Sequence, residues 1–163
     1  RKESSAASDV YKRQIKFLFL AINNYKSIKM KIKTIFKINM GLLFLQVLPL
    51  LISLFSPEFK MMLMSDGFGE SVSQDAVVMF EQFALVLGLI VIGIIAFLYG
   101  ALSFNDLDTL KRVSFLFFAL SGFFALPDLI NVFTGQPTAP APVIFMGLVC
   151  LGLFYYGSKK GTI

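Results

Sequence analysis

Four apolar runs, each about the length that crosses a bilayer, are joined by connections whose lysines and arginines fall on alternate sides. The runs are about Ile38–Phe55, Val77–Leu102, Val113–Phe133 and Val143–Tyr156. A chain of 163 residues with 56% hydrophobic and 15% charged residues and a mean hydropathy of +0.76 has more apolar surface than a water-soluble domain of this size can bury. The expected solvent is therefore lipid, and backbone groups that cannot stay unpaired in hydrocarbon make each run a helix. Short connections between consecutive helices make them antiparallel neighbours, so the predicted fold is all-α: a four-helix up-down transmembrane bundle.

The basic residues in the flanks set the orientation. Lys31, Lys33 and Lys37 precede the first span, Lys60 alone lies in the first loop, Lys111 and Arg112 lie in the second, none in the third, and Lys159 and Lys160 follow the last span. The positive-inside rule then places both termini and the 103–112 loop in the cytoplasm, with 56–75 and 134–142 outside, as expected of a bacterial inner-membrane protein. The first span resembles a signal peptide in its flanks. It ends in LFSPEF with no small-residue cleavage pattern, and is read as a retained helix. The fourth run is short for a crossing helix, so Tyr155 and Tyr156 are expected at an interface.

A net charge of +5 would suit an acidic partner such as nucleic acid, but its location removes that reading. From Met30 onward, eight basic residues face eight acidic ones, so the excess lies upstream. There, Ser4–Gln14 reads SSAASDVYKRQ, which resembles codon for codon the in-frame translation of a transposase adapter used to prepare sequencing libraries. The resemblance implies that residues 1–14 are an artefactual, disordered tail; the alternative is a natural polar one. Residues 15–37 form a basic N-terminal segment. Its part up to Lys29 is the truncated interior of a longer gene, translated upstream sequence, or an interfacial helix with Phe17, Leu18, Leu20 and Ile22 toward lipid, and Met30 is the expected start, with Met40 or an upstream codon as alternatives. The membrane domain is expected over 38–157 and a basic tail over 158–163.

In the first outer loop, Ser56-Pro57 has the form of an N-cap followed by proline at the first helical position. A short interfacial helix over Pro57–Met64 follows, with Phe59, Met61, Met62 and Met64 on the membrane surface and Asp66-Gly67 as a turn. Pro137, Pro140 and Pro142 stiffen the last outer loop. Prolines 49 and 127 each free a carbonyl within a span, where kinks are expected.

With no histidine and a single cysteine, Cys150, the chain has no material for His-based triads, HExxH zinc sites, CxxC redox pairs or an intrachain disulfide. No catalytic residue, cofactor site or metal site is expected, and Cys150 is expected to be a core residue. Asn105, Asp106 and Asp108 suit a helix cap better than a metal site.

An ionisable group within a span is costly and is the first place to look for function. Asp128 lies ~24 Å along the third span from Arg112, in the outer part of the membrane. It shares a face with Ser114, Ser121 and Ala125, which should turn toward the bundle, and Asn131 lies one turn further on. Glu81 and Gln82 enter the second span at a similar depth. A carboxylate pair near the outer surface would have to protonate, share a proton, bind a cation or water, or recruit Lys60. The candidate polar cluster is thus Glu81, Gln82, Asp128, Asn131 and Lys60. In the structural alternative Glu81 is a solvated first-turn acid and Asp128 a local cap. Gln46 is expected to bond a neighbouring helix. The pairs Ala84/Gly88 and Ala96/Gly100 are expected as packing faces within the bundle, or as a homodimer seam.

The SDGFGE loop, the GLIVIGIIAFLYG span, the LKR turn and the PDLIN end of the third span together resemble small bacterial four-helix integral membrane proteins classed as domains of unknown function, and more loosely the DoxX-like proteins. The resemblance covers Met40–Tyr156 and implies no activity, cofactor or functional residue. Three functions compete. The leading one is a non-enzymatic accessory membrane component, its partners being the lipid bilayer and a second copy or another membrane protein. The next is a small transport or proton- or cation-linked protein using the carboxylate pair. The third, a membrane enzyme or quinone-binding redox partner, has no histidine or cysteine pair to work with.

Overall fold

The structure is a computed structural model and describes residues 29–69, 72–136 and 138–163; the side chains of residues 66–68, the adapter-like tail and the stretch upstream of Lys29 with its expected interfacial helix lie outside the described residues. Among the described residues five helices follow one another: α1 (Ile32–Phe55), α2 (Pro57–Phe68), α3 (Gln74–Ala101), α4 (Leu107–Thr134) and α5 (Ala141–Lys160). Four of them, α1, α3, α4 and α5, are long and apolar enough to cross a membrane. The fold is an all-α bundle, with the shorter α2 laid against the end of α1.

Helix starts follow local chemistry. Ser56 Oγ accepts the Phe59 N–H at 3.4 Å with Pro57 at the first helical position, Ser73 Oγ accepts the Ala76 N–H at 3.2 Å, and Asp106 Oδ2 accepts the Thr109 N–H at 2.7 Å. The Ser56 cap is where the sequence places it, and of Asn105, Asp106 and Asp108, the three residues expected to supply a cap, Asp106 is the one that does. α2 continues to Phe68, past the expected Asp66-Gly67 turn, and stops at Gly69, whose φ of 82° is open to glycine at little cost. α4 stops at Gly135 in the left-handed region, where its N–H and that of Gln136 both reach the Asn131 carbonyl. α1 and α4 run without a break through Pro49 and Pro127.

Three of the long helices run well past the bounds that hydropathy suggests. α4 begins at Leu107, directly after its Asp106 cap, and not at Val113. α1 begins six residues before the expected Ile38, because Ile32, Ile35 and Phe36 are core residues and share a helical face with Asn39. α5 spans 20 residues from Ala141 to Lys160, so the fourth span is not short; its last turn carries Lys159 and Lys160, which complement the helix dipole.

α1 is the hub. It packs against α3 on one side and α5 on the other, holds α2 at its far end, and only grazes α4, which packs on α5. The order across the bundle is α3–α1–α5–α4. Consecutive α3 and α4, expected as packed neighbours, make little contact with one another and flank an open cleft. The main core cluster lies at the end carrying Lys31, Lys33, Lys111 and Lys159, here called the basic end. It joins Ile32, Ile35 and Phe36 of α1 with Leu98 and Ala101 of α3, Leu110 of α4 and Phe154 of α5. The Phe154 ring stacks on Phe117 at 5.6 Å and lies 6.3 Å from Phe36.

Small residues allow the close crossings. Gly157 of α5 meets Ser114 of α4 and Ile35 of α1, and a β carbon at Gly157 would stand 3.3 Å from Ile35 Cδ1 and closer still to the Ser114 hydroxyl. That hydroxyl donates to the Phe154 carbonyl at 2.8 Å, so both crossing helices are bonded where they touch. Ala84 and Gly88 are buried against α1, with Leu51 Cδ2 3.0 Å from the position of a Gly88 β carbon. Ala96 and Gly100 have the same spacing on the same helix but are exposed, so the expected packing face forms at the first pair and not at the second.

Candidate functional site

The expected polar residues at the far end divide into two separate sets. Lys60 stands one turn into α2, and its ammonium pairs with the Glu81 carboxylate, two turns into α3. The Lys60 side chain is 13% exposed and that of Glu81 41%, so the lysine stem lies along protein while the ion pair meets solvent at the carboxylate. Of the alternatives open to Glu81 in the sequence, recruitment of Lys60 is the one the structure displays. The first-turn acid of α3 is Asp75, a position the structural alternative gave to Glu81.

Asp128 has a different partner. Half-buried on α4, its Oδ1 accepts the Ala139 N–H at 2.9 Å, across eleven residues, and so ties the loop before α5 back onto α4. It therefore closes a loop and does not act as the local cap expected of it. No hydrogen bond or ion pair joins Glu81 to Asp128, and the two stand on helices that make little contact. Gln82 is exposed, and Asn131 is half-buried with its carbonyl taken up by the end of α4.

α2 is also held by its apolar face. Met61 and Met62 are exposed, as an interfacial helix requires, but Met64 is fully buried and faces the protein, not the membrane surface. The reason is geometric: at about 100° per residue, Met64 falls on the opposite side from Met62, toward α1.

Polar groups within the spans act as inter-helix ties. Gln46 Nε2 donates to the Val143 carbonyl of α5 at 3.3 Å, the neighbour bond expected of it. Cys150 is buried, as expected of a core residue. Asn39 is the polar core residue that hydropathy passed over. It is fully buried, its Nδ2 reaches the Cys150 carbonyl over 3.5 Å, and its Oδ1 has no partner among the described residues. The signal for it is its register, since Asn39 falls on the Ile32–Ile35–Phe36 face.

No family model, curated protein or solved structure matches the chain.

The basic end is closed by contacts distant in sequence. The Ile32 N–H donates to the Thr162 carbonyl at 2.8 Å and the Thr162 N–H to the Met30 carbonyl at 3.2 Å, a short parallel bridge that brings the segment before α1 and the segment after α5 to one face. Gly161 makes this approach feasible, because a β carbon there would run into the Ile32 side chain. The Met30 N–H also reaches the Tyr156 hydroxyl at 3.4 Å. Lys33 Nζ donates to Asn105 Oδ1 at 2.9 Å, which fastens α1 to the connection between α3 and α4. At the start of α4, Asp106 is held below the ordinary carboxylate range, first by the Thr109 hydroxyl and then by the Thr109 N–H, with the Arg112 charge adding to both.

Proposed function

We propose that this chain is a small integral protein of the bacterial inner membrane, with both termini in the cytoplasm, and that it serves as a non-enzymatic accessory component. The observation that carries the reading is the outer surface of the four long helices. Large apolar side chains such as Phe83, Leu89, Phe97, Leu116, Phe123, Ile130, Phe133 and Phe145 point outward along them, and hydrocarbon accepts these groups where water does not. Lysines and arginines gathered at one end support the orientation.

The accessory role draws its support from how the polar groups are used. Lys60 with Glu81, Asp128 with the Ala139 N–H, Gln46 with Val143 and Ser114 with Phe154 each join one part of the scaffold to another. Groups spent on holding helices together suit a protein whose work is to pack, against lipid and against a second copy or another membrane protein. The likeness to small four-helix and DoxX-like membrane proteins is in keeping with this and adds no activity.

The test has two parts. Tags at the two ends should both be protected in right-side-out vesicles and both be exposed in inverted ones, and the protein should resist alkaline extraction; tags in opposite compartments overturn the topology. Purification in mild detergent should then recover the chain as a defined oligomer or with a stoichiometric membrane partner. A strictly monomeric, partnerless protein overturns the accessory role.

A further inference from the structure

α3 and α4 are joined by a short connection, yet they diverge and leave a cleft of about 570 Å³ at the basic end. Its walls are apolar: Phe97 and Phe104 on one side, Val113, Leu116 and Phe117 on the other, with Ala96 and Gly100 making room on α3. A second groove of about 450 Å³ lies beside it, lined by Lys111 and Arg112 of α4 and by Ser158 and Lys159 of α5. Leu116 lines both, so the apolar cleft and the basic groove adjoin across this one side chain.

The charges in this groove are uncommitted. Lys60 is paired with Glu81 and Lys33 is bonded to Asn105, whereas Lys111, Arg112 and Lys159 form no ion pair or side-chain hydrogen bond among the described residues. Asp106, the carboxylate that feels Arg112, is already engaged with Thr109. Three like charges therefore line one groove that has no carboxylate in its lining; Asp108, one turn before Lys111 and Arg112, is exposed outside it.

We propose that the basic end holds one anionic glycerophospholipid, with an acyl chain in the cleft between α3 and α4 and the phosphodiester against Lys111, Arg112 and Lys159. Basic pockets between membrane helices on the cytoplasmic side are a recurring form of anionic headgroup site. The match is one of charge and of shape. A phosphodiester is the anion that a bilayer presents at the level of helix ends, and the apolar cleft begins where its acyl chains would. An acyl chain is a fraction of the roughly 10 Å width of a helix with its side chains, and it enters the cleft from the open side. The small residues Ala96 and Gly100, unused in helix packing, then have a role as the floor of a lipid seat.

This inference rests on the membrane reading above, and the two can fail separately. If the protein is recovered outside the membrane fraction, the membrane reading fails; if it is in the membrane but does not distinguish lipids, only the lipid site fails. The experiment is thermal unfolding of the full chain in a mild neutral detergent, with phosphatidylglycerol or phosphatidylcholine of matched acyl chains added. Phosphatidylglycerol should raise Tm saturably and phosphatidylcholine should not. The combined variant Lys111→Gln, Arg112→Gln, Lys159→Gln should weaken the apparent affinity for phosphatidylglycerol on the order of a hundredfold. Lys37→Gln, an exposed cation on α1, should leave it unchanged. Gly100→Leu should also weaken it by filling the cleft, and it should fold normally because a β carbon at Gly100 meets nothing within 4 Å. Equal response to the two lipids, full retention of the phosphatidylglycerol shift in the triple variant, or the same shift from soluble glycerol phosphate overturns the proposal. So does a protein partner cross-linked through a cysteine placed at Gly100.

Discussion

At the basic end, Ile32, Ile35, Phe36, Leu98, Leu110 and Phe154 are fully buried, and three helices meet around Gly157; at the far end, α4 from Phe123 to Phe133 is largely exposed, and Asp128 ties it to the loop before α5. Both ends are rich in large apolar side chains, so the difference in packing lies in how those side chains are used. Helix association in lipid gains little from apolar burial as such, since a Leu is as well placed against an acyl chain as against another Leu. Tight packing needs close backbone approach, which Gly157 and Gly161 supply at the basic end. Where small residues do not bring helices together, single ion pairs and side-chain-to-backbone bonds do the joining.

The largest effect expected from this contrast is at Phe154. Phe154→Ala removes a ring shared by α1, α4 and α5 and should cost about 3–5 kcal/mol, read as a fall in unfolding midpoint in detergent, while Phe133→Ala at the exposed far end should leave it nearly unchanged. Equal losses at both positions would break the comparison. Gly157→Val should follow, at about 1–3 kcal/mol, because the added methyls press on Ser114 and Ile35. A Ser114→Ala background should relieve part of that loss, which a double-mutant cycle would measure.

Glu81→Gln is expected to do less. The carboxylate is well exposed and solvent screens its pair with Lys60, so the loss should be at most about 1 kcal/mol, with faster proteolysis of α2 as the more sensitive readout. The smallest effect concerns pH. The Asp106 carboxylate is depressed in the folded state, so its stabilising contribution is complete above the ordinary value of 3.8 and is lost as pH falls through the lower, folded value. Hydrogen exchange at the first turn of α4 should therefore rise in that acid window, and Asp106→Asn should abolish the pH dependence.

Much of the fold was legible in the chain. The four apolar runs each became a helix, Ser56-Pro57 started α2, Asp106 capped α4, and the Ala84/Gly88 pair packed as expected. These features depend on neighbours within a few residues or on burial from water, which sequence spacing encodes. The candidate site was legible in part. Lys60 was named as a partner available to Glu81, but the Ala139 N–H as partner of Asp128 depends on where a proline-containing loop returns. Met64 turned inward and α1 began early for a related reason, since in both cases a packed neighbour, not hydropathy, decides which residue is covered.

By itself the sequence determined which segments leave water, and where helices start, because desolvation of backbone and side chains is a local cost. Only the tertiary structure decided which helix faces meet. Ala84/Gly88 and Ala96/Gly100 have the same spacing on one helix, yet the first pair lies against α1 and the second lines an open cleft. In lipid an apolar face has no intrinsic preference between protein and hydrocarbon, so the order α3–α1–α5–α4 was settled by close contacts and ties between residues far apart in the chain.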